Sequence, residues 1–153
     1  MRALIQRVTH ASVTVDKNII GEIENGLAIL LGVQAGDSER DAKFLAKKIS
    51  ELRIFTDNNA KMNLSILDIE GEALVVSQFT LYADCSKGRR PSFIRAELPN
   101  RADALYRYFV TCLRQNKVKQ VQTGEFGSLM EFSINNHGPV TIMLDTDEMK
   151  KKG

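Results

Sequence analysis

The run Leu27-Ala28-Ile29-Leu30-Leu31-Gly32-Val33 carries no polar side chain. A half-buried strand would alternate apolar with polar residues, so an unbroken run of this length reads as a central strand covered on both faces. Upstream, Ala11, Val13 and Val15 alternate with Ser12 and Thr14, the period of a strand with one wet face. Ile19 to Ile23 follows as its hairpin partner, with a turn at Asp16-Lys17-Asn18.

A helix is expected after the apolar run. Asp37 or Ser38 caps it, and Ala42, Leu45, Ala46, Ile49 and Leu52 recur at helical spacing. Arg53-Ile54-Phe55 reads as a short strand and Asp57-Asn58-Asn59-Ala60 as a turn. Met62-Asn63 reads as a turn as well. Glu72 to Thr80 is apolar and strand-like, and Asp84 to Leu98 is a loop. A second helix starts near Asn100, with Ala102, Leu105, Phe109, Cys112 and Leu113 as its buried stripe. Lys119 to Leu144 reads as strands broken at Gly124, Gly127 and Gly138-Pro139. The expected fold is α+β. It is a single domain over residues 1–153 with a mostly antiparallel or mixed, barrel-like sheet and two amphipathic helices packed on it. Residues 146–153 are expected to be a frayed tail.

Composition narrows the function. An apolar content of 43% with 26% charged residues is that of a globular domain. There is no apolar stretch of membrane-spanning length, and Gln6 and Arg7 interrupt the place where a signal peptide needs its apolar centre. A cytoplasmic location is expected. Two cysteines, Cys85 and Cys112, and two histidines, His10 and His137, provide neither a disulfide framework nor a zinc spacing. A net charge of +2 is too small to mark a nucleic-acid binder by itself. The positive charge is nevertheless clustered at Lys87-Gly88-Arg89-Arg90 and at Lys150-Lys151-Lys152.

Two segments place polar groups where plain strands would not. Ser77-Gln78-Phe79-Thr80 puts two hydroxyls and an amide at the end of an apolar strand. Buried polar groups cost free energy unless paired, so these residues bond each other or face a ligand. On a strand, Ser77 and Phe79 share one face and Gln78 and Thr80 the other. If the strand ends there, freed backbone N–H groups can stabilise an oxyanion, which makes ester hydrolysis plausible. Thr80 is a nucleophile by residue type, yet no base lies near it in sequence. The second segment is Asn135-Asn136-His137-Gly138-Pro139-Val140-Thr141. A Gly-Pro pair here is an ordinary turn or a rigid display of carbonyl oxygens that gates a pocket. The Lys87-to-Arg90 run is a solvated loop or a phosphate contact.

With Leu52-Arg53-Ile54-Phe55, Lys61-Met62-Asn63 and Lys87-Gly88-Arg89-Arg90-Pro91-Ser92-Phe93, these segments resemble, in order, those of the D-aminoacyl-tRNA deacylase family. The resemblance implies a homodimer that cleaves the ester joining a D-amino acid to the terminal adenosine of tRNA. It also implies removal of mis-attached glycine. By that analogy Ser77, Gln78, Phe79 and Thr80 form the catalytic wall, and backbone N–H groups near Phe79 and Thr80 hold the oxyanion. The ribose 2′-OH assists the attacking water. Gly138 and Pro139, joined by a cis peptide, enter the partner subunit's pocket and exclude an L side chain. Phe126 and Met130 line the adenosine side. Neither metal nor cofactor is implied. The partners are aminoacylated tRNA and a second copy of the chain, with no membrane.

Ser128, where the family more often has Ala, and Cys85, where it often has Thr, depart from the pattern outside both signature segments. A related branch of different chiral selectivity departs within Ser77-to-Thr80 and in the Gly-Pro geometry; this chain keeps the unmodified pattern, so the resemblance is to the D-specific branch. Two other functions compete: a non-catalytic RNA-binding module using Lys87 to Arg90, and an esterase acting through Thr80 on another substrate. A purely structural dimer leaves the polar strand end unexplained.

Overall fold

The computed structural model describes residues 1–152. Its organising strand is β1 (Arg2–Val15), 14 residues long. Along one edge β1 pairs antiparallel first with β3 (Gly26–Gly32) and then with β2 (Asn18–Ile23). Along the other edge it pairs antiparallel with β8 (Glu131–Asp145). The β1–β2 hairpin turns at Asp16 and Lys17, both at positive φ (48° and 66°), as a tight two-residue hairpin requires.

Beyond β3 the sheet becomes parallel. β3 pairs with β6 (Glu72–Ser77), and β6 pairs with β7 (Gln120–Thr123). β2 comes back toward β7, where the Glu22 amide donates to Gln122 Oε1 at 2.9 Å. The sheet is therefore mixed and nearly closed.

Helix α1 (Glu39–Glu51) begins at Ser38, whose backbone N–H and hydroxyl both donate to Asp41 Oδ2 at 2.9 Å. Helix α2 (Pro99–Gln115) opens on proline, the residue whose missing N–H costs nothing in the first turn. Ala42, Leu45, Ala46 and Ile49 of α1 and Leu105, Phe109 and Leu113 of α2 are buried with Leu27, Ile29 and Leu31 of β3. Ala28, with Val13 and Leu74, is buried in a second cluster on the opposite face. The β3 run is thus covered on both sides, as its composition required.

Four expectations are corrected. The strand expected over Glu72 to Thr80 ends at Ser77, and Phe79–Tyr82 forms a 3₁₀ helix. Strand-face alternation therefore does not extend past Ser77. Met62 and Asn63 lie in β5 (Met62–Leu64), which pairs with β4 (Phe55–Thr56). The turn is closed upstream instead, where Asp57 Oδ1 accepts the Asn59 and Lys61 amides at 2.8 and 3.0 Å. Gly138-Pro139 does not end a strand, because β8 runs through it. Within the residues expected to fray, Thr146–Lys151 is a third helix, α3.

Helix α3 is ordered because it closes a buried charge network. The Met1 ammonium donates to Asp37 Oδ1 (2.9 Å) and Thr146 Oγ1 (2.6 Å), and Met1 is fully buried. Asp145 caps α3 by accepting the Asp147 amide at 2.9 Å and takes Arg2 Nε at 2.7 Å. Lys150 pairs with Asp41. Burial alone would raise the pKa values of Asp145 and Asp41. The hydrogen bonds from Arg2 and the Asp147 amide to Asp145, and from Lys150 and Ser38 to Asp41, outweigh it and hold both carboxyls below the usual value.

A depressed carboxylate stabilises the fold above its unfolded pKa and loses that contribution as pH falls through the folded one. The urea midpoint is therefore expected to be flat from neutrality to about pH 5 and to drop below about pH 4. Asp145→Asn should be less stable at neutrality and lose less on acidification. An unchanged pH profile in that variant would remove Asp145 from the account.

Candidate functional site

The end of β6 opens into a cavity of about 580 Å³. Leu30 and Val76 lie at its base, and Ser77, Gln78 and Phe79 form one side. Phe126, Ser128 and Met130 form another, and Phe93 and the start of α2 close a third. The lining is mainly apolar with a few polar groups, the usual make-up of a small-molecule site.

Local structure explains each wall. The Gln78 amide still donates to Leu31 O at 2.8 Å, which continues the parallel pairing by one bond. The chain then tightens into the 3₁₀ helix, with Leu81 N–H to Gln78 O at 3.3 Å and Ala83 N–H to Thr80 O at 3.1 Å. Phe79 and Thr80 occupy the first positions of that helix, where no preceding turn supplies acceptors for their N–H groups. The Phe79 ring is 55% exposed and meets Phe93 edge-on, centroids 5.0 Å apart. On the facing wall, Phe126 packs against Tyr106 with centroids 6.1 Å apart. Tyr106 donates its hydroxyl to Val75 O at 2.7 Å, and burial pushes its phenol up to about 12. Met130 Sδ receives the Glu125 amide at 3.4 Å. Ser128 donates to the Glu125 carboxylate, which gives the departure at this position a structural partner. Cys85 is exposed and lies outside the cavity lining.

Five sequence candidates therefore share one cavity: Ser77, Gln78, Phe79, Phe126 and Met130. Thr80 does not line it. Its hydroxyl accepts from the Gln78 side-chain amide, and no base bonds to it among the described residues. His10 instead faces Glu22 at 3.3 Å, and His137 lies in β8.

Gly138 and Pro139 also stand elsewhere. Their peptide bond is cis, and Gly138 has φ +117°. The β1–β8 register runs from Gln6↔Thr141 to Val8↔Asn136, so Arg7 alone faces residues 137–140 and this stretch bulges outward. His137, Gly138 and Pro139 are all exposed. Arg7 fixes the base of the bulge. Its Nε donates to His137 O at 3.3 Å and its Nη1 to Ile54 O at 2.9 Å. Asn136 clamps the two sides by donating to Arg7 O (3.1 Å) and Val140 O (3.0 Å). Strand spacings put this bulge roughly 20 Å from Ser77 within one chain.

Phe93, Pro99 and Arg7 were not among the candidate site residues read from the sequence, although Phe93 closes the segment that begins at Lys87. The first two are loop and helix-start residues whose proximity to β6 is tertiary. Arg7 carried one signal, a charged residue inside an otherwise strand-like start. Among the described residues no group of His, Cys, Asp or Glu is arranged to hold a metal ion. No described helix is long and apolar enough to cross a membrane.

A mixed, nearly closed sheet with an apolar pocket at the end of β6 and an exposed bulge midway along β8 has known counterparts. The D-Tyr-tRNA(Tyr) deacylase family model matches residues 4–145, and the chain belongs to that family. A D-aminoacyl-tRNA deacylase of Thermosipho melanesiensis is 52% identical over 97% of this chain and 99% of its own length. One of Dehalococcoides mccartyi is 56% identical over 95% of both chains. Among solved structures, the c-Myc DNA Unwinding Element Binding Protein is 39% identical and covers 95% of this chain and 98% of its own, with TM-score 0.90. A probable eukaryotic D-amino acid tRNA deacylase shares the fold at 17% identity, with TM-score 0.82 over 94% of this chain and 97% of its own.

Proposed function

We propose that this protein hydrolyses the ester of D-aminoacyl-tRNA, releasing the D-amino acid and tRNA, and works in the cytoplasm beside translation. The observation that carries this is the convergence of Ser77–Phe79 with Phe126 and Met130 on one cavity. Its apolar lining suits a base or side chain, and in this reading the Phe79 and Thr80 amides, free at the start of the 3₁₀ helix, hold the oxyanion. Water adds to the ester carbonyl, and the bond to the ribose 3′-oxygen breaks. That oxygen leaves with the proton lost by the water. The ribose 2′-OH assists, which fits the lack of a protein base at Thr80.

The active unit in this reading is a homodimer. Each chain holds its Gly138-Pro139 bulge roughly 20 Å from its own Ser77, a separation that supports a gate acting on another copy's site. There it meets the α-amino group and clashes with an L side chain. Glycine, lacking a side chain, passes the gate, so mis-attached glycine is removed as well.

Matched D- and L-tyrosyl-tRNA, incubated with the protein and EDTA, test the reading. Release from the D ester with the L ester spared is expected. Release from both esters removes the gate. The solved relative named for binding a DNA element favours one competitor, a binding-only module. Bound tRNA without release would favour it.

Thr80→Ala separates substrate assistance from a threonine nucleophile. The expected kcat stays within about tenfold of the parent, because only the Gln78 contact is lost. A fall of more than about a thousandfold would make Thr80 the nucleophile.

A further inference from the structure

The loop between the 3₁₀ helix and Phe93 holds Lys87, Arg89 and Arg90 within four residues, all exposed. None of the three forms an ion pair or a side-chain hydrogen bond among the described residues. By contrast Arg2, Arg101, Arg107 and Lys150 each pair with a carboxylate. The nearest acid in sequence, Asp84, is engaged by the Ser86 amide at 2.9 Å, and hydrogen bonding from Ser86 holds its carboxyl below the usual value.

The loop is not a free flap. Asp84 and Ser92 exchange backbone hydrogen bonds of 2.8 and 2.9 Å across its base. The next residue is Phe93, which lines the cavity and packs on Phe79. Residues 85–91 reach roughly 12 Å from that base at full extension. Three unpaired cations are thereby held within roughly 12 Å of Ser92, one residue from the cavity-lining Phe93.

We propose that Lys87, Arg89 and Arg90 form the phosphate-binding surface that positions the tRNA strand next to the ester, an inference that rests on the deacylase reading above. An ester seated in the cavity brings the phosphates of its own strand past this loop. Guanidinium forks and an ammonium suit those oxygens, and no local carboxylate competes for them. The loop acts on the strand and not on the reacting atoms, so its contribution belongs in KM.

The test uses the full-length protein and a triple variant, Lys87→Gln, Arg89→Gln and Arg90→Gln. Two substrates are compared: D-tyrosyl-tRNA and the D-tyrosyl ester of adenosine, which lacks the strand phosphates. On tRNA the variant is expected to lose about tenfold or more in kcat/KM, mostly through KM. The slope of log(kcat/KM) against log[salt] should become shallower by about 2. The loss on the adenosine ester should be much smaller. Equal losses on both substrates, or an unchanged salt slope on tRNA, would overturn the proposal while leaving the deacylase reading intact. A parent protein that cleaves neither ester would overturn the reading itself and this proposal with it.

Discussion

Gly26→Ala is expected to leave little folded protein. A Cβ at Gly26 would sit 1.7 Å from Glu72 O and 2.7 Å from both the carbonyl carbon and the amide nitrogen of Glu72. Those are backbone atoms of the strand paired directly with it, so no side-chain rotation relieves the overlap. Retreat the other way is blocked, because Gly26 also pairs with Val8 of β1. The strands must separate where the parallel part of the sheet begins. The cost is at least about 4 kcal/mol, against a total stability of about 5–15 kcal/mol for a domain of this kind. Gly36→Ala is the contrast. Gly36 has φ +92° and nothing within 4 Å of its would-be Cβ, so only backbone strain of roughly 1 kcal/mol is expected. Soluble yield and urea unfolding of both variants decide the matter. A Gly26→Ala midpoint near that of Gly36→Ala would mean that β3 and β6 are not held as tightly as described.

Gly138→Ala is expected to damage discrimination between D and L esters without unfolding the protein. The added Cβ would lie 2.9 Å from Arg7 Nη2 and 3.0 Å from Val140 Cγ2, at a φ of +117° that L residues rarely adopt. Arg7 is the group that holds His137 O and Ile54 O, so displacing it loosens the base of the bulge. The bulge is exposed and outside the core, so stability should fall by only about 1–3 kcal/mol. A gate of the kind proposed depends on placement within about 0.5 Å, so on that proposal the ratio of D- to L-tyrosyl-tRNA hydrolysis is expected to drop roughly 10- to 100-fold. Arg7→Ala should give a loss in the same direction. Unaltered D/L ratios in both variants would show that the bulge is not the chiral gate.

Periodicity made much of the fold legible. The β1–β2 hairpin, the apolar β3 and the stripes of α1 and α2 were each set by local pattern; β3 and the helix stripes are buried as that pattern demands, whereas in the hairpin Ser12 is buried beside Val13 and Ile19 is exposed. The end of β6 was not legible, because Phe79 and Thr80 are good strand formers. What turns them into a 3₁₀ helix is where the neighbouring strand ends, since Leu31 O takes the last ladder bond, from Gln78. The path of β8 through Gly138-Pro139 was hidden for a related reason. The long β1 template pairs with β8 on either side of the bulge and overrides a local stop signal. Helix α3 has a polar, lysine-rich sequence that reads as solvated. Its order comes from Asp41, Asp37 and Met1, all distant in sequence.

The site divides in the same way. Ser77, Gln78, Phe79, Phe126 and Met130 converge, whereas Thr80 faces Gln78 and the Gly138-Pro139 bulge lies midway along β8. Residue type pointed to each segment. It carried no information on the distances between them.

The β1–β8 ladder also governs how the chain reaches this state. It joins residues as much as 143 positions apart, as Arg2 and Asp145 are. During synthesis β1 emerges long before its partner exists, so one whole edge of the organising strand waits with open hydrogen-bonding groups. Folding is therefore expected to complete only once β8 has emerged to pair with β1. A ribosome stalled before β8 would hold a sticky, unfinished sheet, vulnerable to aggregation and in need of chaperone cover.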